Sequence, residues 1–256
     1  MHATVNLATG FPPRFFPTLI PDASRENHPP MPTTLTESPA ADVLNRLFAD
    51  AETQMARFRS PTGSPTTPEP EHLTPFERFS ARKDLYMPVD RPFGNLMYSL
   101  IRGSGAKTVV EFGTSFGIST ILLAAAVRDN GAGQVITTEF IPEKAEVAKT
   151  NLTDAGLADL VDFRVGDALA TLLEPLPGPV DFIFLDGEKT MYLDVLKVLE
   201  PHLKTGCLIA SDNTDHDGME SYLEYLRDPA NGYISTAVLT PGGPKQNSGH
   251  EISVRL

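Results

Sequence analysis

The run Lys107-Thr-Val-Val-Glu111-Phe-Gly113-Thr-Ser115-Phe-Gly117-Ile-Ser119 passes from a strand pattern to a helix pattern within a few residues. Its first part is short, apolar and β-branched, and residues 117–129 continue in Ile, Leu, Ala and Val. That reads as strand 107–112 followed by a helix. Glycines at 113 and 117 let the backbone turn tightly and approach a ligand, and the helix N-terminus offers free N–H groups. Further strands are predicted at 134–139, 160–165, 180–185 and 207–211, with helices at 142–155, 167–174 and 189–203. Such alternation implies parallel βαβ units and a doubly wound α/β sheet. Residues 233–239 and 251–256, around Pro241-Gly-Gly-Pro244, predict a closing antiparallel hairpin.

Upstream, the pattern changes near residue 75. Residues 1–39 carry eight prolines and read as an extended arm. Val43, Leu44, Leu47, Phe48, Met55 and Phe58 recur at helical spacing and predict a helix over 40–58, followed by a Pro- and Ser-rich linker at 60–70. The division expected is an arm, 1–75, and an α/β domain, 76–256. A dimer clamp or a lid are functional readings of the arm; the expectation is a variable extension without catalytic role.

The net charge of −12 excludes a general basic surface for nucleic acid. The longest apolar run, Ile121–Val127, is too short to cross a bilayer. No secretory pattern opens the sequence, and the single cysteine, Cys207, suits a reducing compartment, so a cytoplasmic location is expected. Cys207 itself reads as core.

Ligands of such sheets sit at the carboxyl ends of strands. After the first strand, the turn with Gly113, Ser115 and Gly117, together with the Ser119 hydroxyl, could hold a carboxylate. Glu139 ends the second strand, where an acid can accept both ribose hydroxyls. Gly166-Asp167-Ala168 could meet an adenine edge. A nucleoside with a carboxylate-bearing tail fits all three. A dinucleotide fits less well, because Ser115 stands where the second glycine of that fingerprint belongs. The turn also matches Gly-x-Ser-x-Gly, which would make Ser115 a hydrolase nucleophile with Asp186 or Asp212 and His250. That reading places the motif too early in the sheet and leaves Glu139 and Asp212-Asn213 without a task.

The last two parallel strands end in Asp186-Gly-Glu188-Lys189-Thr-Met-Tyr192 and Asp212-Asn213. Three oxygen ligands without thiolate or imidazole suit a hard cation, Mg²⁺ or alternatively Mn²⁺ or Ca²⁺. Taken singly, each acid or Asn is a common cap, Lys189 a common surface lysine, and His216 and His202 a solvated loop histidine and a helix end. His2, His28 and His72 carry no assignment.

With these residues the sequence resembles the catechol and caffeoyl-CoA O-methyltransferase family of class I S-adenosylmethionine (SAM)-dependent enzymes, from about Leu85 to the C-terminus. The resemblance rests on Asp186-x-x-Lys189-x-x-Tyr192, on Asp212-Asn213, on the turn from Glu111 to Ser119 and on Glu139. It implies a Rossmann-like seven-stranded sheet of order 3-2-1-4-5-7-6 with the last strand antiparallel. It implies SAM bound by Met87, Val89, Glu111, Gly113, Ser115, Gly117, Ser119, Glu139, Asp167, Ala168 and Asp186. The segment Met87–Gly94 would cross the sulfonium side. A cation would sit on Asp186, Asp212 and Asn213, and Asp186 would also lie near the SAM amino group. Gly249-His250-Glu251 resembles the stretch whose acid bonds a substrate hydroxyl, which makes Glu251 a substrate residue with Leu85, Glu188 and His216 along the acceptor wall.

The activity so implied is direct methyl transfer to a phenolic or vicinal-diol small molecule in natural-product or xenobiotic metabolism, by a homodimer. A phenol titrates near pH 10 and is a poor nucleophile at neutrality; a cation on both oxygens corrects that and aligns one of them. Lys189 would accept the proton, since a neighbouring cation and burial both favour the neutral amine. The chain has no Trp, and its acceptor wall is polar and largely acidic. That disfavours a small apolar catechol relative to a larger, polar or cationic one. A catalytically silent SAM-binding protein is the remaining alternative.

Overall fold

A computed structural model of the chain describes residues 33–59, 77, 80–241 and 247–256. Seven strands form one sheet: β1 Thr108–Phe112, β2 Gln134–Glu139, β3 Val161–Val165, β4 Val180–Leu185, β5 Leu203–Ser211, β6 Tyr233–Pro241 and β7 Asn247–Arg255. Their order is β3-β2-β1-β4-β5-β7-β6, as the resemblance implies. The first five pair in parallel, while β7 runs antiparallel to both β5 and β6.

The central strands are buried on both faces, which explains their near-continuous apolar sequence. In β4, Phe182 and Phe184 enter one core cluster while Ile183 and Leu185 enter the other, following the two-residue period of a strand; Val180, before a register shift, joins the second. Helices α1 Ala40–Arg59, α2 Arg91–Ser104 and α3 Ile118–Asp129 supply the first cluster, and α4 Pro142–Asp154 borders it through Leu152. The second cluster takes α5 Ala168–Thr171, α6 Tyr192–Leu199 and α7 Glu220–Arg227. The helix expected over 40–58 forms, and its Val43, Leu44, Leu47 and Phe48 are part of the first cluster. Arg46 on the same helix bonds Asn151, at 3.2 Å.

Several boundaries differ from those read in the sequence. The predicted helix 167–174 shrinks to the four residues of α5. The predicted helix 189–203 divides into a 3-10 turn at Lys189–Met191, α6, and a second 3-10 turn carrying Pro201 at 200–202. Strand β5 begins at Leu203, earlier than expected, and both hairpin strands are longer. Helix α2, unforeseen in the sequence, starts after Asp90 with Pro92 in its first turn, and the Asp90 carboxylate accepts from Phe93 N at 2.7 Å. It buries Phe93, Met97 and Ile101 at four-residue intervals. Helix α7 was also unforeseen; it buries Tyr222 and Leu226. The linker at 60–70, the arm at 1–32 and the hairpin tip at 242–246 lie outside the described residues. Cys207 is core as expected, with its thiol pushed up to about 12 by burial. Among the described residues no helix is long and apolar enough to cross a membrane.

Candidate active site

The site is built on the carboxyl ends of β1, β2, β4 and β5. Gly113 has φ 104°, and a Cβ there would lie 2.7 Å from the Asp186 carbonyl oxygen, so the turn after β1 can touch the end of β4 only as glycine. Ser115 follows at φ 49° and Gly117 at φ 85°. Helix α3 then starts with no side chain capping its N–H groups, which leaves them for an anion. Beneath the turn, fully buried Glu111 accepts from Thr120 and Thr137 hydroxyls through Oε2, at 2.5 and 2.6 Å. Its other oxygen has no well-formed hydrogen bond among the described residues. Burial raises the Glu111 pKa, against the lowering effect of Ser119, Thr120 and Thr137. Buried Ser119 completes this floor. An uncapped helix end beside an unpaired buried carboxyl oxygen fits the carboxylate and ammonium of an amino-acid tail.

On β2, Glu139 is tied down from two sides, by Ser115 N at 2.7 Å and Ile141 N at 2.9 Å. Burial raises its pKa, opposed by those two amides and by Lys144. The bond from Gly166 N to Glu139 O, at 2.9 Å, brings the 166–168 turn beside it. There Asp167 caps α5 through Leu169 N at 2.9 Å, and Ala168 is buried. The Asp167 side chain is thus engaged in capping, and a ligand at this turn would meet chiefly backbone.

Pairing of Leu185 with Ser211 carries Asp186 and Asp212 to neighbouring positions just beyond the sheet. Lys189 Nζ donates to Asp186 Oδ1 at 3.0 Å and to Tyr192 Oη at 2.8 Å. Tyr192, fully buried, donates in turn to the Asp212 carbonyl at 3.1 Å. Burial raises the Asp186 carboxyl to about 7; Lys189 opposes this, and the Asp212 and Glu111 charges add to it. Asn213 has φ 54° and donates to Asp212 Oδ1 from its backbone N and its Nδ2, at 2.7 and 3.1 Å. That leaves its amide oxygen for a cation. Among the described residues no three His, Cys, Asp or Glu side chains could hold a metal. The candidate set has only two such groups, with an amide oxygen as the third donor. Buried Asp212 and half-buried Asp186, whose charges repel each other, with a neutral oxygen beside them, fit a hard divalent cation.

Not every residue singled out in the sequence reaches this site. Glu251 is fully buried on the opposite face of β7, held by Arg227 at 2.9 and 2.7 Å and by Ser235 at 2.6 Å. The structure therefore does not bring this expected substrate residue to the site; strand alternation sends its neighbour there instead. That neighbour, His250, is buried and stacked on Phe93 at 3.7 Å. Its Nε2 lies 2.7 Å from Thr240 Oγ1 and 3.4 Å from Asp90 Oδ2. Its Nδ1 lies 2.8 Å from Asp212 Oδ1 without the alignment of a hydrogen bond. Val89 is buried, Met87 is exposed and Leu85 half-buried. Glu188 is half-buried and accepts from Thr190 Oγ1 at 3.2 Å. His216 is exposed, in a loop with exposed Asp215 and Asp217.

Lys144 was not singled out in the sequence. It is 3% exposed, and its Nζ bonds Ser115 Oγ at 3.3 Å and the Leu85 carbonyl at 3.1 Å. Burial lowers its pKa, against the effect of Glu139. A cationic residue one turn into the helix after a strand-end acid is a usable signal, but its partner 59 positions upstream is not legible. The hydrolase reading also meets this geometry. His250 does lie against Asp212, yet the Ser115 hydroxyl is paired with Lys144, so the described residues contain no serine–histidine pair at Ser115.

With the geometry in place, comparison with known proteins is specific. A family model described as O-methyltransferase matches residues 64–225. A catechol O-methyltransferase of Niastella koreensis is 38% identical over 49% of this chain and 57% of its own length. The chain thus spans little more than half of that relative. Caffeoyl-CoA O-methyltransferase 1 of Eucalyptus globulus is 30% identical over 62% of this chain and 70% of its own. Among solved structures, the O-methyltransferase TomG of Streptomyces achromogenes, in complex with SAM, superposes with TM-score 0.61 at 27% identity, covering 72% of this chain and 90% of that one. With a family match over more than half of its residues, a sheet of the same order and the strand-end residues just described, this chain belongs to the O-methyltransferase family.

Proposed function

We propose that the protein transfers the methyl group of SAM to one hydroxyl of a vicinal diol such as a catechol, with a divalent cation, Mg²⁺ by preference, on Asp186, Asp212 and Asn213. The observation that carries this reading is the Lys189–Asp186 contact beside Asp212, at the point where β4 touches the glycine turn after β1. A cofactor tail at that turn and an acceptor at the carboxylates would then be neighbours.

SAM supplies an electrophilic methyl, and the cation supplies positive charge that makes the acceptor hydroxyl more acidic. The chain's own residues position the reactants. Backbone N–H groups at the start of α3 and buried Ser119 would hold the cofactor's carboxylate, and Glu111 and Asp186 would offer carboxyl groups to its ammonium. Glu139, already fixed by two amides, receives the ribose hydroxyls. Lys189 Nζ takes the proton of the reacting hydroxyl. With SAM bound, the acceptor oxygen would take the methyl as the S–CH₃ bond broke, that bond's electron pair staying on sulfur in S-adenosylhomocysteine. Tyr192 donates its own proton to the Asp212 carbonyl, so its oxygen faces Lys189 as an acceptor and fixes the amine. Glu188, His216 and Leu85 would line the acceptor's approach, and Met87 and Val89 the sulfonium side.

Incubation with labelled SAM and Mg²⁺ over a library of phenols, with products identified by mass, tests the reading. Monomethylated vicinal diols are expected, and EDTA should abolish them. Turnover of simple monophenols at equal rate, unaffected by EDTA, would contradict it. A silent SAM-binding protein would bind the cofactor and give no product with any acceptor.

A further inference from the structure

The segment 84–89 joins the N-terminal part of the chain to α2 and has no regular secondary structure, so its backbone groups need partners from elsewhere. Two side chains provide them. Gln54, on α1, donates from Nε2 to the Asp84 carbonyl at 2.8 Å and accepts at Oε1 from Tyr86 N at 2.7 Å. One primary amide thus meets both a C=O and an N–H, as a neighbouring strand would. Between these, the Leu85 carbonyl accepts from Lys144 Nζ at 3.1 Å. The same ammonium bonds Ser115 Oγ at 3.3 Å, in the turn after β1. Tyr86 closes the contact by packing edge-on against Phe116, with ring centroids 4.6 Å apart. Three successive residues, 84 to 86, are therefore held by α1 on one side and by α4 and the glycine turn on the other.

Burying a lysine costs free energy unless its amine is paired, and Lys144 is almost fully covered. Its placement between Leu85, Ser115 and Glu139 is hard to account for as surface chemistry. Helix α1 lies upstream of the residues matched by the family model, which start at 64.

We propose that Gln54 and Lys144 are positioning residues of the cofactor site, which latch the 84–89 segment as a strap across the glycine turn and so slow the departure of SAM. This rests on the SAM reading of that turn. It gives α1 a task in cofactor retention, where the sequence alone suggests an extension without one. When the strap lifts, the Gln54 pair and the Lys144 bond to Leu85 break together, because all three engage consecutive residues. The latch therefore acts mainly on dissociation, and it leaves the Asp186–Lys189 contact unchanged.

The experiment uses the full chain and SAM, with stopped-flow displacement for the dissociation rate and limited trypsinolysis at exposed Arg82 and Lys83, just before the strap. Gln54→Ala and Lys144→Met should each speed SAM release about tenfold and weaken the protection of Arg82 and Lys83 that SAM confers on the wild type. Gln54→Glu keeps the acceptor for Tyr86 N and loses the donor to Asp84, so it should fall between wild type and Gln54→Ala. It also serves if Gln54→Ala does not fold. Glu139→Ala is the control for the site itself. Loss of SAM affinity in Glu139→Ala, with wild-type release and protection in both strap variants, would overturn the latch alone. Unchanged SAM affinity in Glu139→Ala would overturn the cofactor-site reading on which the latch depends.

Discussion

Lys189 Nζ stands 3.0 Å from Asp186 Oδ1, and the two belong to one turn that begins where β4 ends. A short connection thus presents a candidate cation ligand and a candidate proton acceptor at one place. Tyr192 is the third member, and its bond to the Asp212 carbonyl joins the end of β5 to the same unit.

Replacing Lys189 by Met should remove the proton acceptor and leave the cofactor turn intact. The expected loss in turnover is about 10²- to 10⁴-fold, with SAM affinity within about twofold of wild type. Single-turnover rates and calorimetric titration check this. A variant with wild-type turnover would remove Lys189 from the reaction.

The raised pKa of Asp186 makes a prediction about stability without a cation. The folded carboxyl keeps its proton up to about 7, whereas in the unfolded chain it loses it near about 4. Between these values the folded state binds more protons, so the stability this group contributes is present at the acid end and is lost as pH rises through that window. Melting temperatures of EDTA-treated protein should fall across it, and Asp186→Asn should flatten the fall. Mg²⁺, which competes with the proton, should raise melting temperature more at pH 8 than at pH 5.

His250 makes a further prediction. It stacks on Phe93, contacts Thr240, and joins β7 to Asp90 at the start of α2. His250→Ala leaves a cavity and uncompensated polar neighbours and should cost about 2 kcal/mol, or about 4–8 °C in melting temperature. Thermal denaturation of the metal-free protein measures this directly. A shift below about 1 °C would show the stack to be energetically idle.

Under the proposed function, half-buried Glu188 and exposed Asp215 and Asp217 would give the acceptor's approach a negative rim. Cationic catechols of the dopamine type should therefore have a higher kcat/KM than anionic ones of the caffeate type, with the gap narrowing as salt rises. A preference for caffeate at low salt would refute this.

The sequence made the sheet legible because chemistry and periodicity coincide at its strand ends. Glu111, Glu139, Asp186 and Asp212 each close an apolar run, and the run positions the acid. It made α2 less legible because Pro92, Gly94 and Gly103 obscure a buried stripe of only Phe93, Met97 and Ile101. Glu251 was misplaced by a single position. Its pairing with Ser211 sets the parity of β7, and parity decides which of two adjacent side chains faces Asp212. Gln54 with Tyr86, Lys144 with Leu85 and Thr240 with Asp90 are contacts across 32, 59 and 150 residues, and no local pattern announces them.

The proposed reaction requires Asp186, Asp212 and Asn213 to share one divalent ion beside the methyl donor. Anomalous diffraction from a crystal grown with Mn²⁺ and S-adenosylhomocysteine would locate that ion. One strong peak is expected within bonding distance of all three side chains. An absent peak at saturating Mn²⁺, or one elsewhere in the molecule, would contradict it.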